Sequence, residues 1–251
     1  MSKIILLQET PSTNDFLKRM VSTFESGTLI SAYHQSAGRG QKGNTWEADP
    51  GKNVTMSLLL KKPRVGVKEQ FAISEAVSLA IVEALEKYVK GIKIKWPNDI
   101  YYNDGKIGGI LIEHSLAGNA IDYTIAGVGV NINQQVFTSG VPNPVSLKII
   151  TGNDYDMNII TEEFGDKLAQ CCNLDGSPKQ LKKMHQRYLD RLYRFDGNPY
   201  QFVTPQGKQF EAIIYTVAPD GTLILRHTID DTLRRYQFKE VGFVINRVKF
   251  L

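Results

Sequence analysis

The chain has 251 residues, 42% of them hydrophobic and 22% charged, which is enough for one sizeable core and a small second unit and excludes a disordered chain. A net charge of +4, from lysines and arginines that are scattered rather than blocked, argues for a solvated surface over a nucleic-acid patch and leaves acidic small molecules as ligands. No apolar run approaches a membrane span, MSKIILLQE lacks a secretory apolar region, and adjacent Cys171 and Cys172 fit neither an ordinary disulfide nor a zinc spacing, so a reducing cytoplasm is expected.

In chain order, Lys3 to Gln8 reads as a strand that Glu9-Thr10-Pro11 breaks. Ser12 is placed to cap a helix with Phe16, Leu17, Met20, Val21 and Phe24 on one stripe and Asp15 at its third position. Capping alone explains Ser12, Thr13 and Asn14. The same helix start also offers free N–H groups and short polar side chains, which suit a neutral ureido ring or an anion. Thr28 to His34 is a second strand, running into Gln35-Ser36-Ala37-Gly38-Arg39-Gly40-Gln41-Lys42-Gly43. Gly38, Gly40 and Gly43 satisfy G-x-G-x-x-G, but no helix follows: Pro50 and Gly51 lead into a strand, Val54 to Leu60. A P-loop fails because Asn44 and Thr45 stand where Lys and Ser/Thr are needed. What remains is either a plain surface loop or a flexible, cationic, amide-rich loop able to wrap a phosphate and order on binding.

Val67 to Tyr88 is the longest helical pattern and is read as structural cover for the sheet. Ile92, Ile94 and Trp96 then alternate with Lys93 and Lys95 as a half-buried strand that Pro97 ends. Asn98 and Asp99 form a turn, Ile100 to Tyr102 a strand, and Asn103-Asp104-Gly105 a tight hairpin. Strict alternation places Lys106, Gly108 and Ile110 on one face, with Gly108 and Gly109 leaving room for a ligand beside the ammonium; a solvated hairpin with a surface lysine is the plain alternative. The strand Ala120 to Asn133 carries Gly127 and Gly129, which mark a bulge or the close approach of a backbone or flat ligand, and Asn131, whose amide suits an adenine edge. Residues 144 to 193 hold three helical patterns, among them Ile159 to Cys172 and Pro178 to Tyr193, without a chemical motif. After Phe195 come short strands, Tyr200 to Val203, Phe210 to Val217, Thr222 to His227 and Tyr236 to Val244, which predict a small antiparallel barrel.

The segments Ser12-Thr13-Asn14, QSAGRGQKGNTW (35–46), KWPND followed by GKIGGILIE (95–113), and GVGVNIN (127–133) together resemble the catalytic core of biotin protein ligases, in order and approximate spacing over roughly half the chain. The resemblance implies an α+β fold: a mixed or antiparallel sheet flanked by helices, like that of class II synthetases, over residues 1–194, with an SH3-like barrel over 195–251. It implies ATP-dependent conversion of biotin to biotinyl-5′-AMP and transfer of biotin to a lysine of a biotin carboxyl carrier protein, with ATP and Mg2+ required. Neither step needs an enzyme nucleophile, and positioning with charge stabilisation carries such chemistry.

By the same resemblance Lys106, Arg39 and Asp99 are catalytic. Ser12, Thr13, Asn14, Gln35, Gly38, Arg39, Gly40, Gln41, Lys106 and Gly109 bind biotin. Arg39, Lys42, Trp46, Asn98, Lys106 and Asn131 meet ATP or the adenylate. Asn98 and Asp99 are the candidates for Mg2+, and Asp99 is also a candidate acceptor for the incoming lysine's proton. Gln41 departs from the family's usual Gly-Arg-Gly-Arg loop, and Lys42 is the nearest replacement cation. A lipoate or octanoate ligase or transferase of the same fold is the alternative within the enzymes, although Cys171 and Cys172 lie far from every motif. A DNA-binding repressor is not expected, because the catalytic pattern begins within the first dozen residues; neither is a membrane partner. Oligomeric state is open between monomer and homodimer.

Overall fold

The computed structural model describes residues 4–138, 140 and 142–246, with the side chains of Lys42 and Cys171 outside the description. Its first part runs β1 (Ile4–Thr10), α1 (Thr13–Arg19), β2 (Leu29–Gln35), β3 (Asn53–Lys61), α2 (Phe71–Leu85), β4 (Ile92–Lys95), β5 (Asp99–Tyr102), β6 (Gly105–Ala117) and β7 (Ala120–Asn131), then α3 (Leu147–Thr151), α4 (Met157–Cys171) and α5 (Pro178–Asp190). The strands form one seven-stranded sheet in the order β1-β2-β3-β7-β6-β5-β4. Only β1 and β2 pair in parallel, as expected where a helix connects them; the remaining pairs are antiparallel, so the sheet is mixed.

Residue alternation gives this sheet two different faces. In β3, Val54, Met56 and Leu58 join the main core with α2, whereas Leu59 packs with Leu17 of α1, Ile30 and Ile125 in a smaller cluster on the other side. The face that carries α1 therefore also receives Asn53, Thr55 and Ser57, the polar half of β3. α2 is buried almost all round because α4 and α5 pack on it from outside while its inner side meets the sheet. It is shorter than its sequence pattern: Val67–Glu69 is a separate 3-10 turn, and the α-helix ends at Leu85.

The second part contains β8 (Tyr200–Val203), β9 (Gln209–Val217), β10 (Leu223–His227), β11 (Leu233–Tyr236) and β12 (Gly242–Phe243), an antiparallel sheet in the order β11-β10-β9-β8-β12. The single strand expected over Tyr236 to Val244 is two strands, separated by a turn in which Lys239 takes φ +72°. Phe202, Ile214, Val217, Leu223 and Leu225 bury into the same core that covers the first sheet.

A buried polar link ties α5 to α2. His185 of α5 lies 2.6 Å from Glu75 of α2. Burial pushes the Glu75 carboxyl up, and the hydrogen bond to Glu75 raises the His185 imidazole. Both groups hold protons more tightly folded than unfolded, so the folded state binds more protons and the link's contribution falls as pH rises. For His185 it is complete below the free imidazole value of about 6.5 and is lost through the higher folded value. Wild type should melt lower at pH 8.5 than at pH 6, by about 2–4 °C for each kcal/mol lost, and Glu75→Gln should flatten that difference in calorimetric scans.

Candidate active site on the α1 face of the sheet

Register alone assembles the floor of the site. Ser57 pairs with Gly127 and Gly127 with Leu111; Thr55 pairs with Gly129, Gly129 with Gly109 and Gly109 with Asp99; Asp99 in turn pairs with Lys95. Directly paired residues point to the same face. Lys95, Asp99, Gly109, Gly129 and Thr55 thus form one row across five strands, with Leu111, Gly127 and Ser57 in the next.

Lys106 joins this row through an irregularity that strict alternation does not anticipate. The β5–β6 register slips between Ile100 and Tyr101, where Ile100 faces Gly108 and Tyr101 faces Lys106, so Ile107 is an extra residue. After the bulge Gly108 turns to the core, where an added Cβ would meet Gly129 O at 3.0 Å and Ile100 Cβ at 3.4 Å. Lys106 shares its face with Gly109, not with Gly108 and Ile110. Its ammonium comes within 3.6 Å of a Cβ built on Gly109.

Three charges meet there. Lys106 Nζ lies 2.6 Å from one oxygen of Asp99, and Lys95 Nζ lies 3.6 Å from the other. Lys95 sits 5.3 Å from the centre of the Tyr101 ring and 5.0 Å from that of Phe243 in β12, so the second sheet helps to wall the site. Burial pushes the Lys95 ammonium down, against the pull of Asp99. The Asn98 amide donates to Ile110 O at 2.7 Å and fixes the turn. Of the two residues expected to hold Mg2+, that leaves one carboxylate, Asp99, already flanked by two ammonium groups. Among the described residues no cluster of three metal-ligating side chains exists.

The loop after β2 folds back as a small hairpin. Arg39 bridges to Thr45, Trp46 N donates to Gly38 O at 2.9 Å, and Gln41–Gly43 makes a 3-10 turn. Gly38 is required sterically, since a Cβ would lie 2.4 Å from Trp46 O. The hairpin lays the Trp46 indole on the floor, where it fills the space that a Cβ on Gly129 would need, 2.3 Å from its Cε2. Gly127 likewise admits Asn14 Oδ1. What presses on the two β7 glycines is therefore protein side chain, the indole being a flat, movable one. The Lys42 side chain, expected to meet the nucleotide, lies outside the described residues.

Polar groups at the start of α1 form a chain. Ser12 caps the helix, accepting from Asp15 N at 3.4 Å. Gln35 Oε1 accepts from Thr13 N at 2.8 Å and Thr13 Oγ1 at 3.1 Å; the hydroxyls of Thr13 and Ser57 are 2.7 Å apart; Ser57 donates to Asn14 Oδ1 at 2.6 Å. Asn14 donates onward to Glu113 at 2.8 Å, and Arg39 donates to the other oxygen of Glu113 at 2.7 Å and to Asp15. Although burial opposes it, hydrogen bonds from Asn14 and Arg39 hold the Glu113 carboxyl below its usual range.

Beside these groups a cavity of about 680 Å³ opens, in the size range of small-molecule sites. Ser12, Thr13, Asn14, Gln35, Arg39, Gly40, Gln41, Trp46, Asn98, Asp99, Lys106, Gly109 and Asn131 all line it. Gly38 lines a smaller space behind the loop. Among the described residues, three buried polar atoms of this lining have no hydrogen-bond partner and are available to a ligand: Asn131 Oδ1, Gln41 Oε1 and Trp46 Nε1. Asn131 donates to Val145 O at 3.1 Å, which leaves its carbonyl as the free half. Sequence reading missed Ser57, Glu113, Lys95 and Phe243. The alternation of Asn53, Thr55 and Ser57 with buried apolar residues was the available signal for Ser57; Phe243 carried none.

Residues 6–131 match the model of the biotin/lipoate A/B protein ligase family. The biotin–[acetyl-CoA-carboxylase] ligase of Paracoccus denitrificans is 33% identical over 171 residues, covering 65% of this chain and 69% of that protein. The bifunctional ligase/repressor BirA of Bacillus subtilis is 38% identical over 111 residues, but this chain spans only 34% of its length. In fold, the biotin protein ligase of Aquifex aeolicus in complex with biotin and ATP superposes with a TM-score of 0.79 over 98% of this chain and 100% of that one, at 21% identity.

Proposed function

Because the chain belongs to the biotin/lipoate A/B protein ligase family, we propose that it activates biotin with ATP and transfers it to a lysine of a biotin carboxyl carrier domain. The observation that carries this reading is the placement of Lys106: an ammonium held 2.6 Å from Asp99, over a floor of glycine, in a cavity that also presents the unpartnered acceptor Asn131 Oδ1. In the first step a biotin carboxylate oxygen attacks the α-phosphorus of ATP and pyrophosphate leaves. Lys106 brings the two anions together and neutralises charge on the five-coordinate phosphorus, as preorganised donors do. Asn131 Oδ1 accepts from the adenine amino group. Ser12, Thr13, Asn14 and Gln35 seat the ureido ring, and Trp46 covers the ligand. Mg2+ would arrive with ATP and neutralise phosphate charge; no step here depends on a metal held by the protein alone.

In the second step the carrier's lysine amine attacks the acyl carbon, AMP leaves, and the amine's proton passes to Asp99. Lys95, at 3.6 Å on the far oxygen, keeps that carboxylate aimed at Lys106. We also propose the division at 194/195, since α5 ends at Asp190 and every strand of the second sheet lies at or beyond Tyr200.

Biotin-dependent exchange of pyrophosphate into ATP, followed by mass spectrometry of a carrier domain, tests both steps. Exchange supported equally by lipoate or octanoate would overturn the choice of substrate. Asn131→Leu should raise the KM for ATP by roughly tenfold or more through loss of the adenine contact, while the biotin Kd measured without nucleotide stays near wild type.

A further inference from the structure

Glu113 closes the GKIGGILIE segment but is not among the site residues that the family resemblance implies, yet it stands where two parts of the site meet. One carboxylate oxygen accepts from Asn14 at 2.8 Å and the other from Arg39 at 2.7 Å. On the Asn14 side the bonds run through Ser57, at 2.6 Å, to Thr13 and Gln35; on the Arg39 side the guanidinium also grips Asp15, the third residue of α1. Asn14 is 3% exposed and wedged against Gly127, so it cannot turn away without losing its bonds. Arg39 begins the hairpin that carries Trp46 over the floor.

We infer that Glu113 is the positioning residue that couples the polar head pocket at Asn14 to closure of the 38–46 loop through Arg39, and so sets how long the activated intermediate is retained. The inference rests on the ligase reading above, with biotinyl-adenylate as the intermediate. The physical reason is the count of acceptors. A carboxylate offers acceptors to both donors at once, and both bonds are charge-assisted. A glutamine has one acceptor oxygen and presents an N–H group to whichever donor is left. Because Asn14 and Arg39 bond opposite oxygens, that single oxygen cannot stand in both places.

The test uses the purified full chain, loaded with biotin and ATP. Glu113→Gln should release biotinyl-adenylate roughly ten- to a hundredfold faster than wild type, the scale expected for one charge-assisted bond. Arg39→Met should speed release by a similar factor, and the double variant should be little faster than either single one, since both remove the same link. Because the Arg39 guanidinium is exposed, that variant keeps the test readable should Glu113→Gln fail to fold; it should also weaken nucleotide-free biotin binding through Asn14. Release from Glu113→Gln within twofold of wild type, or effects that simply add in the double variant, overturns the coupling. A wild-type chain that forms no adenylate overturns the ligase reading itself, and this inference with it.

Discussion

Lys106→Met should reduce adenylate formation by at least a hundredfold while leaving the fold intact. The side chain keeps its length and apolar stem, so the packing beside Gly109 survives, and what is lost is the charge aimed at the carboxylate and phosphate. Removing one preorganised group facing a developing oxyanion typically costs a hundredfold or more in rate. A second effect compounds it. Asp99 now has only Lys95 at 3.6 Å, and its carboxylate repels both anionic substrates unless the remaining ammonium stays close. The biotin KM should therefore rise along with the fall in kcat. Lys106→Arg restores the charge, but its planar fork does not superpose on a point ammonium 2.6 Å from Asp99 and 5.9 Å from the centre of the Trp46 ring, so recovery should be partial. Pyrophosphate exchange reads the rate and circular dichroism the fold; exchange at the wild-type rate in Lys106→Met removes Lys106 from the mechanism.

How much of this was legible beforehand follows from what each feature depends on. The elements, the Ser12 cap and the glycines beside Lys106 depend on local chemistry and period, and the sequence carries both; the grouping of Lys106 with Asp99 was legible only through the family resemblance. The face of Gly108 was read wrongly because a bulge shifts every later residue to the other side, and no residue between Tyr101 and Gly109 announces one. Lys95 reads as one polar residue of a half-buried strand; its role beside Asp99 depends on strand pairing and on Phe243, which arrives from the second sheet. Glu113 reads as the polar end of an apolar run. Its two partners are 99 and 74 residues away in the chain, so only the fold brings them together. The split of the expected strand over Tyr236 to Val244 has a comparable cause, since the positive φ falls on Lys239, a residue type that does not advertise a turn.

The strongest expected effect on biotin capture belongs to a methyl group. Gly127→Ala would put a Cβ 2.3 Å from Asn14 Oδ1 and 2.9 Å from its Cγ, inside the approach that carbon and oxygen tolerate. The strand cannot yield, because Gly127 is paired on both sides, with Ser57 and with Leu111. Asn14 must withdraw, and its bonds to Ser57 at 2.6 Å and Glu113 at 2.8 Å break together. Each buried polar group left without its partner costs about 1–3 kcal/mol, so biotin affinity should fall by roughly a hundredfold and the melting temperature should drop as well. Gly129→Ala provides the contrast. Its Cβ strikes the Trp46 indole at 2.3 Å, a side chain carried on a hairpin that can lift, and the head pocket two residues along β7 is untouched. That variant should bind biotin almost normally without nucleotide and lose hold of the adenylate. Calorimetric titration of biotin into both variants, beside adenylate release rates, separates the two glycines. Wild-type biotin affinity in a folded Gly127→Ala protein would place the ureido pocket away from Asn14.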